Sequence, residues 1–178
     1  MADAKREAPA FIGYFAHVRE GNTAWGALVL VTPEGDPVDF LYTDPVTVGR
    51  LTHTLLGPRM DGYLVDRVLL APLVEQAGPR LALVCLDDPA LLQRRPGFAV
   101  AVAVLAPPDA AHKEGAWAAE SMPNGGGGPA HTWWLSGDAR AEAMARLRQA
   151  AEVLAPFGIL EPFQHLRAAM AEVRAERT

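Results

Sequence analysis

Three short stretches are apolar at almost every position, and they constrain the fold of this chain more than any other feature. "AWGALVLV" (24–31), "LALVCL" (81–86) and "FAVAVAVLA" (98–106) lack the in–out alternation of a half-exposed strand, so each reads as a strand buried on both faces. The alternating alanines of the third leave room for close packing. Before the first of them, "FIGYFAHVRE" (11–20) is rich in aromatic and branched residues and ends at the turn signal Gly21-Asn22. After it, "PEGD" turns the chain into "PVDFLYT", where Val38, Phe40 and Tyr42 share one face of a half-buried strand. Three successive strands joined by short turns predict an antiparallel meander.

Helical spacing follows. Thr47 is placed to cap a helix whose face carries Val48, Leu51, Leu55 and Leu56, and "MDGYLVDRVLLAPLVEQ" resumes the period until Pro72 bends it and Gly78-Pro79 ends it. "HTWWLSG" reads as a last strand, paired with 98–106. An αα-hairpin closes the chain: Asp138 opens the first helix, with a stripe of Met144, Leu147, Ala151 and Leu154, and the second carries Phe163, Leu166, Met170 and Val173. Between the last two strands, residues 107–130 hold Pro, Ala and Gly without a sustained period and are expected to be a flexible loop. The run Gly125–Gly128 is followed by Pro129 and has no lysine, so it reads as linker rather than phosphate loop.

The expected fold class is α+β or α/β. It has a single mixed sheet that begins with the meander, helices packed on it and the C-terminal hairpin. Residues 1–10 are expected to be a flexible tail and 11–178 one domain. The first half, three strands, helix, strand, resembles the element order of ribonuclease H-like domains. A plainer α+β sandwich, with helices on one face, fits equally well.

Composition sets outer limits. A chain of 178 residues supports one sizeable core, and with 50% hydrophobic and 21% charged residues it is globular rather than disordered. The net charge of −5 argues against broad, non-specific nucleic-acid binding, which needs a basic surface. The opening "MADAKREAPA" lacks the apolar run of a signal peptide, and no apolar stretch reaches the length of a membrane span, so a cytoplasmic protein is expected. The Ala/Gly/Pro/Arg-rich usage suggests a bacterial source. Cys85, alone of its kind and set between Val84 and Leu86, reads as a small core residue.

The acidic pair Asp87-Asp88, at the carboxyl end of an apolar strand, is the strongest chemical feature. Strand ends of this kind often hold ligands, and a two-metal nuclease needs clustered carboxylates around the scissile phosphate. The ribonuclease H-like arrangement implies a ligand on the first strand and another on the first helix. Yet "FIGYFAHVRE" has no carboxylate before Glu20, and the helix from Thr47 to Leu56 has none. Asp87 and Asp88 would stand nearly alone, helped by Asp138 or Glu142, so capping of the segment "DPALLQRR" is the expected role. The five histidines, at 17, 53, 112, 131 and 165, show no metal-ligand spacing, and no serine sits in a nucleophile motif.

These residues give three functional expectations. The first is a non-catalytic protein-binding or scaffold subunit of a bacterial assembly, without cofactor or metal, joined to a protein partner or a second copy through Trp134, Phe163, Leu166 and Met170. The second is a divergent metal-dependent hydrolase or nuclease, with a carboxylate site of Asp87, Asp88 and Asp138. The third is a small-molecule or nucleotide sensor with a pocket lined by Trp25, Tyr42 or Trp134.

Overall fold

The computed structural model describes residues 10–95, 97–124, 128–136, 140–156 and 158–177. The expected N-terminal tail and Asp138 therefore fall outside the described residues, apart from Ala10. Strands β1 (Phe11–Glu20), β2 (Thr23–Val31) and β3 (Pro37–Tyr42) form the meander, and the short β4 (Val46–Thr47) pairs with β2. Gly21, at φ +59°, makes the β1–β2 turn in a region that suits glycine. A broken helical segment follows: α1 (Arg50–Leu56), a 3₁₀ turn (Gly57–Arg59), α2 (Met60–Tyr63), a π-helical stretch (Leu64–Leu70) and α3 (Ala71–Ala77). Then come β5 (Leu81–Leu86), a 3₁₀ helix (Pro89–Gln93), β6 (Ala101–Leu105), β7 (Trp117–Asn124), β8 (Gly128–Ser136), α4 (Arg140–Val153) and α5 (Glu161–Glu176).

The strands make one mixed eight-stranded sheet in the order β3-β2-β1-β5-β6-β8-β7, with β4 beside β2. β1, β5 and β6 are parallel neighbours, while the meander and the outer β6-β8-β7 group are antiparallel. The run β3-β2-β1-β5-β6 is the ribonuclease H-like order seen in the first half of the sequence. Helices cover both faces, so the one-faced sandwich is set aside.

Pleating sorts the strand residues into two cores. Phe15, Leu28, Val84, Leu86, Val102 and Val104 face the helical segment 50–77, together with Leu91 and Leu92. Tyr14, Ala27, Leu83, Cys85, Ala101 and Ala103 face α4 and α5. Ala101 and Ala103 of β6 leave space on this second face for α4, which packs there through Ala143, Leu147 and Ala150. Cys85 is fully buried, and burial pushes its thiol pKa far above the ordinary value.

Four local expectations are corrected. Thr47 lies in β4 and bonds Thr23 across the strands, and Gly49 stands at the α1 cap position instead. The described part of 107–130 is no flexible loop, because β7 pairs with β8 from Trp117 to Asn124, while residues 125–127 of the expected glycine linker lie outside the described residues. Ala116, Trp117 and Met122 are buried, and the Trp117 indole donates to the Arg94 carbonyl at 2.8 Å. Composition hid this strand because its two large buried side chains, Trp117 and Met122, face opposite cores and the residues between them are small or polar. On α4 the buried line runs through Ala143, Leu147, Ala150 and Leu154, while Met144 and Ala151 are only partly covered. Finally, Trp133 and Trp134 point to opposite faces and both are buried, so neither is left for a partner. Among the described residues, no helix is long and apolar enough to cross a membrane.

Candidate functional site

The carboxyl ends of the parallel strands β1, β5 and β6 share one edge of the sheet, the position where open sheets commonly bind ligands. Asp87 and Asp88 follow β5 at this edge, and the pleat sends them apart. Asp87 turns to the second face, where its Oδ2 accepts a hydrogen bond from the Arg167 guanidinium of α5. Asp88 turns to the first. Its Oδ1 accepts the Ala90 N–H at 2.7 Å, capping the 3₁₀ helix, and its Oδ2 stands 3.3 Å from His17 Nε2. The capping expectation holds for Asp88 alone.

His17 lies near the end of β1, with its ring stacked on Phe15 at 6.2 Å and its side chain largely buried at 14% exposure. Beside it a cleft of about 400 Å³ is lined by Val18, Trp25, Arg167, Met170 and Arg174 as well as His17 itself. Further around the edge, Arg19 bonds Asp61 at 2.5 Å and approaches His53 Nε2 at 3.3 Å. Arg174 pairs with Glu20 at 2.5 Å.

Asp66 in the π-helical stretch is fully buried, between Arg67 Nε at 3.2 Å and Arg94 Nε at 3.3 Å. Neither guanidinium is aligned for a good hydrogen bond, which leaves both Asp66 oxygens without one among the described residues. Burial raises the Asp66 pKa, and the two arginines oppose that rise. Tyr14, on the other face, is also raised well above its ordinary value, chiefly by burial.

A divalent cation fits this edge poorly. Among the described residues, no group of three or more His, Cys, Asp or Glu side chains could hold one. Asp87 and Asp88 diverge, and each already has a basic side chain as partner, Arg167 and His17. The expected set Asp87, Asp88 and Asp138 therefore reduces to two carboxylates on opposite faces, with Asp138 outside the described residues. The tryptophans of the expected sensor pocket are separated as well, Trp25 on the second face and Trp134 on the first, while Tyr42 is exposed.

The residues that sequence reasoning passed over are Arg167, Arg19 and Asp66. Arg167 is one exposed-looking arginine among many, and nothing local marks it. Asp66 did carry a signal, because helical spacing puts it on the face of Leu69, Leu70 and Leu73, an acid inside an apolar stripe.

No family model and no curated protein sequence matches the chain. Solved structures do align with it. Ciona intestinalis endonuclease V, in complex with a 24mer DNA containing an inosine followed by a ribo-adenosine, is 11% identical, with 80% of this chain and 78% of that chain covered and a TM-score of 0.42. A variant of the same protein with a 23mer DNA gives 11% identity, 80% and 77% coverage and a TM-score of 0.45. Human ENDOV gives 11% identity, 91% and 86% coverage and a TM-score of 0.39.

The expectation of a non-catalytic scaffold or accessory subunit is corrected here, together with its protein partner. Its residues Trp134, Phe163, Leu166 and Met170 are buried in this chain's own cores and offer no surface for a partner or second copy. The expectation against broad nucleic-acid binding is withdrawn too, since two of the solved structures reported above hold DNA.

Proposed function

We propose that this chain is a nucleic-acid-processing protein, a divergent phosphodiester hydrolase working at the carboxyl edge of β1 and β5. The observation that carries this reading is that His17, 3.3 Å from Asp88, and Arg167, paired to Asp87, line one cleft together with Trp25. A phosphodiester needs a cation for its oxygens, a group to take a proton from the attacking water, and an apolar wall for the base. Arg167 offers a planar fork of donors that matches phosphate. His17 offers the proton acceptor. In a neutral ring with Nε2–H turned to Asp88, Nδ1 would take a proton from water as the new P–O bond forms, and the imidazolium would return it to the leaving oxygen as the ester bond breaks. The Trp25 side of the cleft supplies the apolar wall. The cytoplasmic location and the organisation of residues 11–178 as one domain belong to the same proposal.

Labelled single-stranded and duplex DNA and RNA oligonucleotides, tested for binding and for cleavage, decide it. Binding should weaken steeply with salt. His17→Ala should keep binding and lower the cleavage rate by about 10²-fold or more, the usual contribution of a positioned acid–base group. If no oligonucleotide binds at low salt, the reading is wrong.

A further inference from the structure

We infer that the charge at this edge is organic: Arg167 receives the phosphate, and the site works without a divalent cation. The inference rests on the nucleic-acid reading above and concerns how that same site holds its ligand. Its basis is a pattern around the edge, in which, among the described residues, the carboxylates near Asp87 each stand against a basic side chain of the chain itself. Asp87 has Arg167, Asp88 has His17, Glu20 has Arg174, Asp61 has Arg19, and Asp66 has Arg67 and Arg94. A metal entering here would have to displace these partners and still find its ligands on both faces of the sheet. Hard cations take about six oxygens in a tight shell, and Asp87 and Asp88, turned to opposite faces of the sheet, do not meet in one such shell.

An arginine at the same place has none of these demands. The Arg167 side chain is 55% exposed, so its guanidinium can reach solvent while one nitrogen holds Asp87. It also lines the cleft with Trp25 and Met170, so a phosphate on Arg167 would set the attached sugar and base against an apolar wall. In this arrangement Asp87 competes with the ligand for Arg167. That reverses the role a carboxylate has at a metal site, where losing it weakens binding.

The sign of one substitution separates the two possibilities. A fluorescein-labelled single-stranded oligonucleotide is titrated into wild type, Asp87→Asn and Arg167→Ala, each in EDTA and in millimolar Mg²⁺. The expected result is tighter binding by Asp87→Asn, binding weakened about tenfold or more by Arg167→Ala, and no gain from Mg²⁺ beyond its counterion effect. Weaker binding by Asp87→Asn, or binding that needs Mg²⁺, overturns the inference and leaves the nucleic-acid reading standing. A second measurement needs no oligonucleotide. Millimolar Mn²⁺ should leave the Tm of wild type unchanged, and a rise that Asp87→Asn abolishes overturns the inference by itself. If no oligonucleotide binds in any condition, the nucleic-acid reading falls, and the Mn²⁺ arm still decides whether these carboxylates hold a metal.

Discussion

The two faces of the sheet are covered by different kinds of structure. On the second face, α4 and α5 are regular helices whose buried line, from Ala143 to Met170, is apolar throughout. On the first face the cover is a run of short α, 3₁₀ and π segments, and it encloses the charge of Asp66. A regular helix can cover a sheet with apolar residues at helical spacing, and its stability then comes from burial alone. A buried carboxylate needs partners aimed at it, and widening the helix to a π turn at Leu64–Leu70 goes with presenting Asp66 between Arg67 and Arg94. The face with regular cover is built for stability. The face with broken cover holds His17, His53, Asp61, Asp66 and Asp88, and Asp87 and Arg167 stand at the edge of the other.

The sharpest way to break this contrast is Leu166→Glu. The side chain is 1% exposed among Tyr14, Phe163 and Met170, so a carboxylate there should cost more than about 4 kcal/mol and unfold the chain, read by circular dichroism. A folded variant would mean that the second face tolerates charge as the first does.

Next in size is Arg94→Met, which leaves Asp66 buried with one partner. It should cost on the order of 3 kcal/mol, and adding Asp66→Asn should recover much of that loss, measured by urea unfolding of the single and double variants.

The pH dependence of the first face is smaller but has a definite sign. Burial gives Asp66 a raised pKa when folded, so its protonated form is favoured in the folded state. The stability it adds is complete below the unfolded pKa and is lost as pH rises through the folded value. The urea midpoint of wild type should therefore fall relative to that of Asp66→Asn between pH 4 and 8. The opposite slope would show that the two arginines outweigh burial.

The smallest effect belongs to the edge. Asp88→Ala should cost about 1 kcal/mol and Asp88→Asn much less, since asparagine also caps.

The same contrast explains what could be read in the sequence. The strands 81–86 and 98–106 were legible as short unbroken apolar runs, and the meander and the αα-hairpin through their turn signals and the periods, 2 and 3.6, that burial imposes directly. The stripe Phe163, Leu166 and Met170 was legible too, but a stripe says only that it must be covered, and the cover proved to be the chain's own sheet. β7 was not legible, since alanine, serine and proline make up half of it and a register shift follows Met122. At the candidate site the sequence displayed Asp87-Asp88 and His17 but not their partners, because Arg167 stands 80 residues from Asp87 and pairing over such a distance leaves no local mark. It displayed two adjacent acids, and only the pleat decides that they look in opposite directions.

The packing of α5 on β1 also bears on how the chain is made. β1 lies inside the sheet between β2 and β5 and is synthesised well before the residues from Ala143 onward that cover its second face. At ~5–20 residues per second, the ribosome takes on the order of ten seconds to bridge that gap. For that interval Ile12, Tyr14, Ala27 and Leu83 lie on an uncovered apolar sheet face, ready to stick to another nascent chain. A ribosome stalled between β8 and α4 would prolong that exposure, so the burden of keeping this protein from aggregating falls on whatever shelters the chain before its last two helices emerge.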